Sequence, residues 1–68
     1  MIDGTDRVTL DNVEVVSADD LVVMCDVGGR IVGVPPEQML PGTVILRAGD
    51  RGRLVLPRDV AVALGLAP

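Results

Sequence analysis

The sequence predicts a mainly β fold, a small five-stranded barrel or sandwich that ends in a short C-terminal helix. A chain of 68 residues has room for a single small β domain, spanning residues 1–68. Valine, isoleucine, leucine and threonine, which favour strands, recur between turn residues spaced about ten positions apart. Helical spacing of apolar residues replaces strand alternation only near the C-terminus.

The first predicted strand changes its facing halfway along. The apolar residues Val8 and Leu10 lie at even-numbered positions, whereas Val13 and Val15 lie at odd-numbered positions. Because successive side chains of a strand point to opposite faces, this switch would turn the strand over unless the ladder contains an irregularity. The sequence therefore predicts a β-bulge near Asp11-Asn12.

A tight hairpin is predicted in the middle of the chain. Leu21–Val27 is the most apolar strand and is predicted to be central, after a polar turn over residues 17–20. Gly28-Gly29 follows and supplies the positive φ angles of a two-residue turn. The return strand is Arg30–Val34, and Pro35-Pro36 ends it because proline cannot donate to a strand ladder.

A second hairpin is predicted nearer the C-terminus. Glu37–Leu40 predicts one helical turn, and Thr43–Arg47 predicts the fourth strand. A turn over residues 48–52 leads into the fifth strand, Arg53–Leu56, which Pro57 stops.

The C-terminal segment predicts a helix over Arg58–Leu64. Val60 and Leu64 are four residues apart and therefore share a face, and Gly65 suits the position just after a helix end. We expect this face, together with Leu66, to close the core or to form an interface with another protein.

The composition predicts no enzyme active site, no metal site and no cofactor. The chain has no histidine, no lysine and no aromatic residue, and it has one cysteine. A lone cysteine without histidine cannot build a zinc site, and a general base would have to be a carboxylate. Cys25 lies in an apolar strand, where we expect an inert buried thiol. Asp19, Asp20 and Asp26 lack the spacing of a calcium loop, and Asp19-Asp20 is interpreted as a solvated or capping pair in a turn.

The amount and distribution of apolar residues indicate where the protein is located and what it can bind. The longest apolar run, Leu21–Cys25, is too short to span a bilayer, and the acidic N-terminus lacks the apolar stretch of a secretion signal. These features predict a cytoplasmic protein with no membrane partner. Because 49% of so short a chain is apolar, we expect a homo-oligomer or a partner protein to cover part of its surface.

Charge is distributed unevenly along the chain. Residues 1–42 carry two arginines against eight carboxylates, and residues 43–68 carry four arginines against two, which gives −6 and +2. The basic side chains of the second part gather at the second hairpin and the start of the helix: Arg47, Arg51, Arg53 and Arg58. Arginine matches phosphate and carboxylate groups. The cluster predicts contact with nucleic acid, contact with an acidic protein surface, or solvated ion pairs with Asp50 and Asp59.

Residues 52–66, with the sequence GRLVLPRDVAVALGL, resemble the signature of AbrB/MazE-type swapped-hairpin proteins. The shared features are a Gly-Arg turn, an apolar strand, a proline, a basic–acidic pair, a short helix and a Leu-Gly-hydrophobic ending. The resemblance implies an intertwined homodimer that binds DNA, with Arg51, Arg53 and Arg58 as contacts. The order of the predicted elements also resembles that of SH3-like small barrels.

Two hypotheses for function follow from these observations. The first is a non-catalytic interaction module that binds protein, either a second copy or a partner. The second is a homodimeric DNA-binding regulator or antitoxin, which the net charge of −4 disfavours because DNA repels an acidic protein.

Overall fold

The computed structural model describes residues 6–67, so the acidic segment before Asp6 lies outside the described residues. This range forms four strands, a 3-10 turn and one α-helix. In chain order they are β1 (Arg7–Ala18), β2 (Val23–Val27), β3 (Arg30–Val34), the 3-10 turn (Pro36–Gln38), β4 (Arg51–Pro57) and α1 (Arg58–Ala63). The strands form one antiparallel sheet in the order β3-β2-β1-β4. The fold is therefore mainly β with a short C-terminal helix, as predicted.

The long strand β1 is shared between two neighbours. Its register with β4 shifts between Leu10 and Val13, where the sequence predicts a bulge. Asn12 takes a positive φ of 58° there, a conformation that asparagine tolerates better than most residues. The shift keeps Leu10 and Val13 on the core side, so the predicted bulge is confirmed. A second shift, between Val15 and Ser17, interrupts the pairing with β2.

The hairpin of β2 and β3 forms at the predicted position. Gly28 and Gly29 have φ angles of 61° and 89°, the positive pair that a two-residue type I′ turn requires. The carboxylate of Asp26 also accepts a hydrogen bond of 2.9 Å from the Gly29 N–H. β2 begins at Val23 rather than at the predicted Leu21, because a turn at Asp19 occupies the preceding residues.

The segment predicted as the fourth strand is extended but does not form a regular strand. Gly42 makes a turn with a φ of 104°, and the chain then runs beside the outer edge of β4. Leu40 N–H donates to the Val55 carbonyl at 2.9 Å, and Val44 N–H donates to the Arg53 carbonyl at 3.0 Å.

A threonine side chain replaces part of the ladder at this edge. The Thr43 hydroxyl accepts from the Val55 N–H at 2.9 Å and donates to the Val55 carbonyl at 3.3 Å. Side-chain bonds of this kind compete with backbone pairing. The described residues therefore form an open four-stranded sheet, and the predicted five-stranded barrel or sandwich is not confirmed.

The helix α1 ends one residue earlier than predicted, and its end is closed by the backbone. Leu66 N–H donates to the Ala61 carbonyl at 2.8 Å, and Gly65 N–H donates to the Val62 carbonyl at 3.0 Å. Gly65 has a φ of 77°. These two bonds define a Schellman motif, so the predicted role of Gly65 is confirmed.

The core is built on one face of the sheet. All four strands contribute buried residues to this cluster, and the segment after β3 and the helix contribute one residue each. The buried cluster comprises Val13, Val15, Val23, Cys25, Val34, Ile45, Leu54, Leu56 and Ala61. No helix in the described part of the chain is long and apolar enough to cross a membrane.

Candidate interaction surfaces

The arginines of β4 lie beside carboxylates of β1. The antiparallel register places Arg51 opposite Glu14, and Arg51 Nη2 donates to Glu14 Oε1 at 2.9 Å. Arg53 Nε lies 3.9 Å from Asp11 Oδ1, at the bulge of β1. These partners are far away in sequence and are brought together by strand pairing.

Arg58, the first residue of α1, has a similar arrangement. Its Nε donates to Asp6 Oδ1 at 2.9 Å, and its backbone N–H donates to the Asp6 carbonyl at 3.3 Å. One of the three alternatives drawn from the sequence was solvated ion pairs with the nearby Asp50 and Asp59. The structure instead pairs Arg51, Arg53 and Arg58 with carboxylates before and within β1. Strand register, not sequence proximity, sets these partners.

These ion pairs are exposed and individually weak. In the Arg51–Glu14 pair, 64% of the arginine side chain and 45% of the glutamate side chain remain exposed. Exposed pairs of this kind contribute about 0.2–1 kcal/mol each. Their larger consequence is electrostatic, because the basic part of the sequence faces the acidic part within the same chain.

Arg47 begins the turn between Leu46 and Arg51, and its carbonyl accepts a hydrogen bond of 2.9 Å from the Asp50 N–H. The carboxylate of Asp50 accepts hydrogen bonds from the backbone N–H groups of Arg47 at 2.8 Å and Leu46 at 2.9 Å. The pKa of Asp50 is lowered by these bonds, the Arg47 N–H having the largest effect, and the Arg47 charge adds to it. Asp50 thus fixes the loop backbone while the Arg47 side chain stands at an exposed position.

The carboxylates of Asp19 and Asp26 accept hydrogen bonds from the backbone of nearby turns. Asp19 Oδ1 accepts from Leu21 N–H at 2.8 Å and Val22 N–H at 2.9 Å. Hydrogen bonds from Val22 and then Leu21 lower the pKa of Asp19. Within residues 6–67, no group of three or more cysteines or carboxylates lies close enough together to hold a metal ion.

Cys25 is fully buried on the core face of β2. Burial raises the pKa of its thiol, because a low-dielectric environment disfavours the thiolate. The predicted burial of Cys25 is confirmed. A thiol in this setting is a poor nucleophile.

The helical residues named from the sequence pack inward. Val60, Leu64 and Leu66 are half-buried and lie against the buried cluster. By contrast, Val62 on the same helix is 45% exposed. Val60, Leu64 and Leu66 therefore contribute to closing the core at the C-terminal end.

An apolar groove lies along the segment after β3. It has a volume of about 460 Å³ and is lined by Pro36, Met39, Leu40, Pro41, Thr43, Val44, Ile45 and Leu46. Ile45 is buried, whereas Val44 is 65% exposed and Leu46 is 62% exposed. Large apolar side chains exposed together in a concavity are typical of a binding surface.

One sequence feature predicts exposed apolar side chains at this groove, although the segment was interpreted as an ordinary strand. Val44-Ile45-Leu46 is a run of three apolar residues within a segment interpreted as a strand. Because an extended chain alternates its facing, such a run places apolar side chains on both sides. Only Ile45 can then enter the core, and its neighbours must face outward.

Comparisons of the chain with models of protein families, with curated proteins and with solved structures find no match. Function is therefore inferred from the residues and geometry of this chain.

Proposed function

We propose that this chain is a non-catalytic interaction module that binds an apolar segment of another protein in the groove of residues 36–46. The observation that carries the proposal is the exposure of Val44 and Leu46, at 65% and 62%, within that groove. Burying such side chains contributes about 25 cal/mol for each Å² of apolar surface removed from water. The groove therefore offers a favourable contact that the monomer leaves unused.

The groove has a rigid side and an adaptable side, which suits recognition of a protein segment. Its wall is held against β4 by the backbone bonds of Leu40 and Val44 and by the Thr43 hydroxyl. Met39, an unbranched and polarisable side chain, lines the adjacent part and can adapt to different partners. In this proposal, the bound segment of the partner takes the place of the fifth strand of an SH3-like barrel. The chain itself is proposed to be a cytoplasmic protein without a membrane partner.

Selection from a displayed library of random peptides tests the proposal. We expect wild-type protein to enrich peptides with apolar residues, since the groove lining is apolar. The double variant Val44→Asp with Leu46→Asp should not retain these peptides. Val62→Asp is the matched control, because Val62 is an exposed valine on α1 that does not line the groove. Circular dichroism would establish that all three proteins are folded.

Two outcomes would contradict the proposal. One is the absence of any enriched peptide with folded wild-type protein. The other is equal retention of the enriched peptides by the double variant, which would place their binding elsewhere on the surface.

A further inference from the structure

Among the described residues, the two edges of the sheet differ in whether their backbone groups are paired. The outer edge of β4 is covered by the segment after β3, through the bonds from Leu40 and Val44 described above. β3 forms the opposite edge, and no described strand lies beyond it. An open edge presents unpaired N–H and C=O groups that can pair with another chain.

The hairpin register determines which groups of β3 point outward. Val27 and Arg30 close a two-residue turn and therefore exchange hydrogen bonds with each other. Hydrogen-bonded pairs alternate along an antiparallel ladder, so the next one joins Cys25 and Val32. Ile31 and the residue two positions later, Gly33, consequently direct their N–H and C=O groups away from β2.

The middle of this edge, residues 31–34, carries none of the usual protective devices. Residues 31–34 include no proline and no charged side chain, and their register with β2 is continuous. Arg30, at the start of the strand, directs Nη1 to the Gly65 carbonyl at 2.9 Å. Natural sheets usually protect a free edge with a charge, a proline or a bulge. An edge without these devices is suited to pairing.

We propose that a second copy of this chain pairs with the β3 edge, in antiparallel orientation about a two-fold axis at Val32. In this register, Ile31 of each copy lies opposite Gly33 of the other. The N–H and C=O groups that point outward from both residues are then all paired. A register displaced toward the C-terminus would place Pro35 in the ladder, and proline has no N–H to donate.

Side chains complement this register. Ile31 is 51% exposed, and the residue opposite it, Gly33, has no side chain. Beside Gly33, a Val22 methyl and the Met24 sulfur lie 2.9 Å and 3.4 Å from the position that a Cβ would occupy. The Ile31 side chain of the second copy would therefore rest on an apolar surface formed by Val22 and Met24. No charge within residues 31–34 opposes the contact.

The proposed dimer goes beyond peptide binding, because it uses a different surface and a defined occupant. A homodimer would join the two open sheets into one continuous sheet. It would also bury apolar surface in a chain whose own core is small.

Size-exclusion chromatography with light scattering tests the proposal at about 100 µM protein. We expect twice the chain mass of 7.1 kDa for wild type and the monomer mass for Ile31→Lys. Lysine on an edge strand disfavours pairing while leaving the bonds to β2 intact. The matched control is Val44→Lys, which alters an exposed valine in the groove and should remain dimeric. A monomeric wild type, or a dimeric Ile31→Lys, would overturn the proposal.

Hydrogen exchange followed by NMR locates the interface independently of mass. In the proposed dimer, the Ile31 and Gly33 amides are hydrogen-bonded, so we expect slow exchange that accelerates on dilution. Exchange at the rate of exposed loop amides, in a sample that light scattering shows to be dimeric, would contradict edge pairing. A dimer disrupted by Val44→Lys but not by Ile31→Lys would assign self-association to the groove instead.

Discussion

At the residue scale, aspartates determine the shape of three turns. Asp19, Asp26 and Asp50 each accept hydrogen bonds from backbone N–H groups two to four residues away. Aspartate is suited to this role because its short side chain reaches its own turn. The sequence indicated turns at Asp19 and Asp50 and a strand at Asp26, but which N–H groups donate to each carboxylate depends on the local backbone path.

The lowered pKa of Asp50 makes stability depend on pH. A carboxyl group whose pKa is lower in the folded than in the unfolded state stabilises the fold above its unfolded pKa of about 4. That contribution is lost as pH falls through the folded pKa. We therefore expect Asp50→Asn to lower Tm at pH 7, with a difference from wild type that shrinks toward about pH 3. Thermal denaturation followed by circular dichroism measures this.

Asp20→Asn is the matched control for that experiment. Asp20 is exposed and has no hydrogen-bond partner among the described residues, so its replacement should leave Tm at pH 7 close to the wild-type value. Equal profiles for the Asp50→Asn variant and wild type would show that the carboxylate does not stabilise the loop.

Thr43 offers a second test at this scale. Its hydroxyl is the partner of both backbone groups of Val55 on the partly buried side of β4. Valine has a similar shape but cannot form these bonds, so Thr43→Val should lower the free energy of unfolding by about 1–2 kcal/mol. Urea denaturation measures the loss. The control is Thr9→Val, which replaces an exposed residue of β1 that pairs with Val55 of β4. This variant should change the free energy of unfolding by less than about 0.5 kcal/mol.

At the scale of elements, the sequence predicted those features that have a local cause. The change of parity around Asp11-Asn12 predicted the bulge, and Gly28-Gly29 predicted the hairpin. Gly65 marked the end of the helix in the same way. The fourth predicted strand failed because the Thr43 hydroxyl, rather than a backbone carbonyl, accepts from the Val55 N–H. Local propensity contains no information about that long-range contact.

The bulge of β1 can be tested at Asn12. Its φ of 58° strains any residue with a bulky side chain, and asparagine less than most. Asn12→Ala should destabilise the fold by about 1 kcal/mol, whereas Asn12→Gly should be neutral or slightly stabilising, because glycine adopts positive φ without strain. Urea denaturation separates the two variants. An alanine variant as stable as the glycine variant would show that the backbone at residue 12 is not strained.

At the scale of the whole molecule, the central feature is how charge and apolar surface are arranged. The acidic and basic parts of the sequence meet across β1 and β4, so three of the four clustered arginines lie beside carboxylates of the same chain. The exposed apolar groove lies elsewhere, on the segment after β3. The sequence predicted the cluster, but the partners of its arginines depend on a strand register that a single sequence does not specify.

This arrangement predicts weak or no binding to DNA. DNA binding would require Arg51, Arg53 and Arg58 to exchange their carboxylate partners for phosphates, in a chain of net charge −4. We expect no mobility shift of duplex DNA at about 50 mM salt, conditions that favour electrostatic binding. A shift that Arg53→Ala weakens would instead support the DNA-binding alternative.

Chemical-shift mapping by NMR tests whether the groove of residues 36–46 is the surface that binds a partner peptide. A peptide selected by display would be titrated into protein labelled with nitrogen-15. We predict that the largest shifts fall on the amides of Met39, Leu40, Val44 and Leu46, and that the arginines of β4 shift little. Shifts concentrated on Arg51 and Arg53, with the groove unaffected, would contradict the assignment of protein binding to this surface.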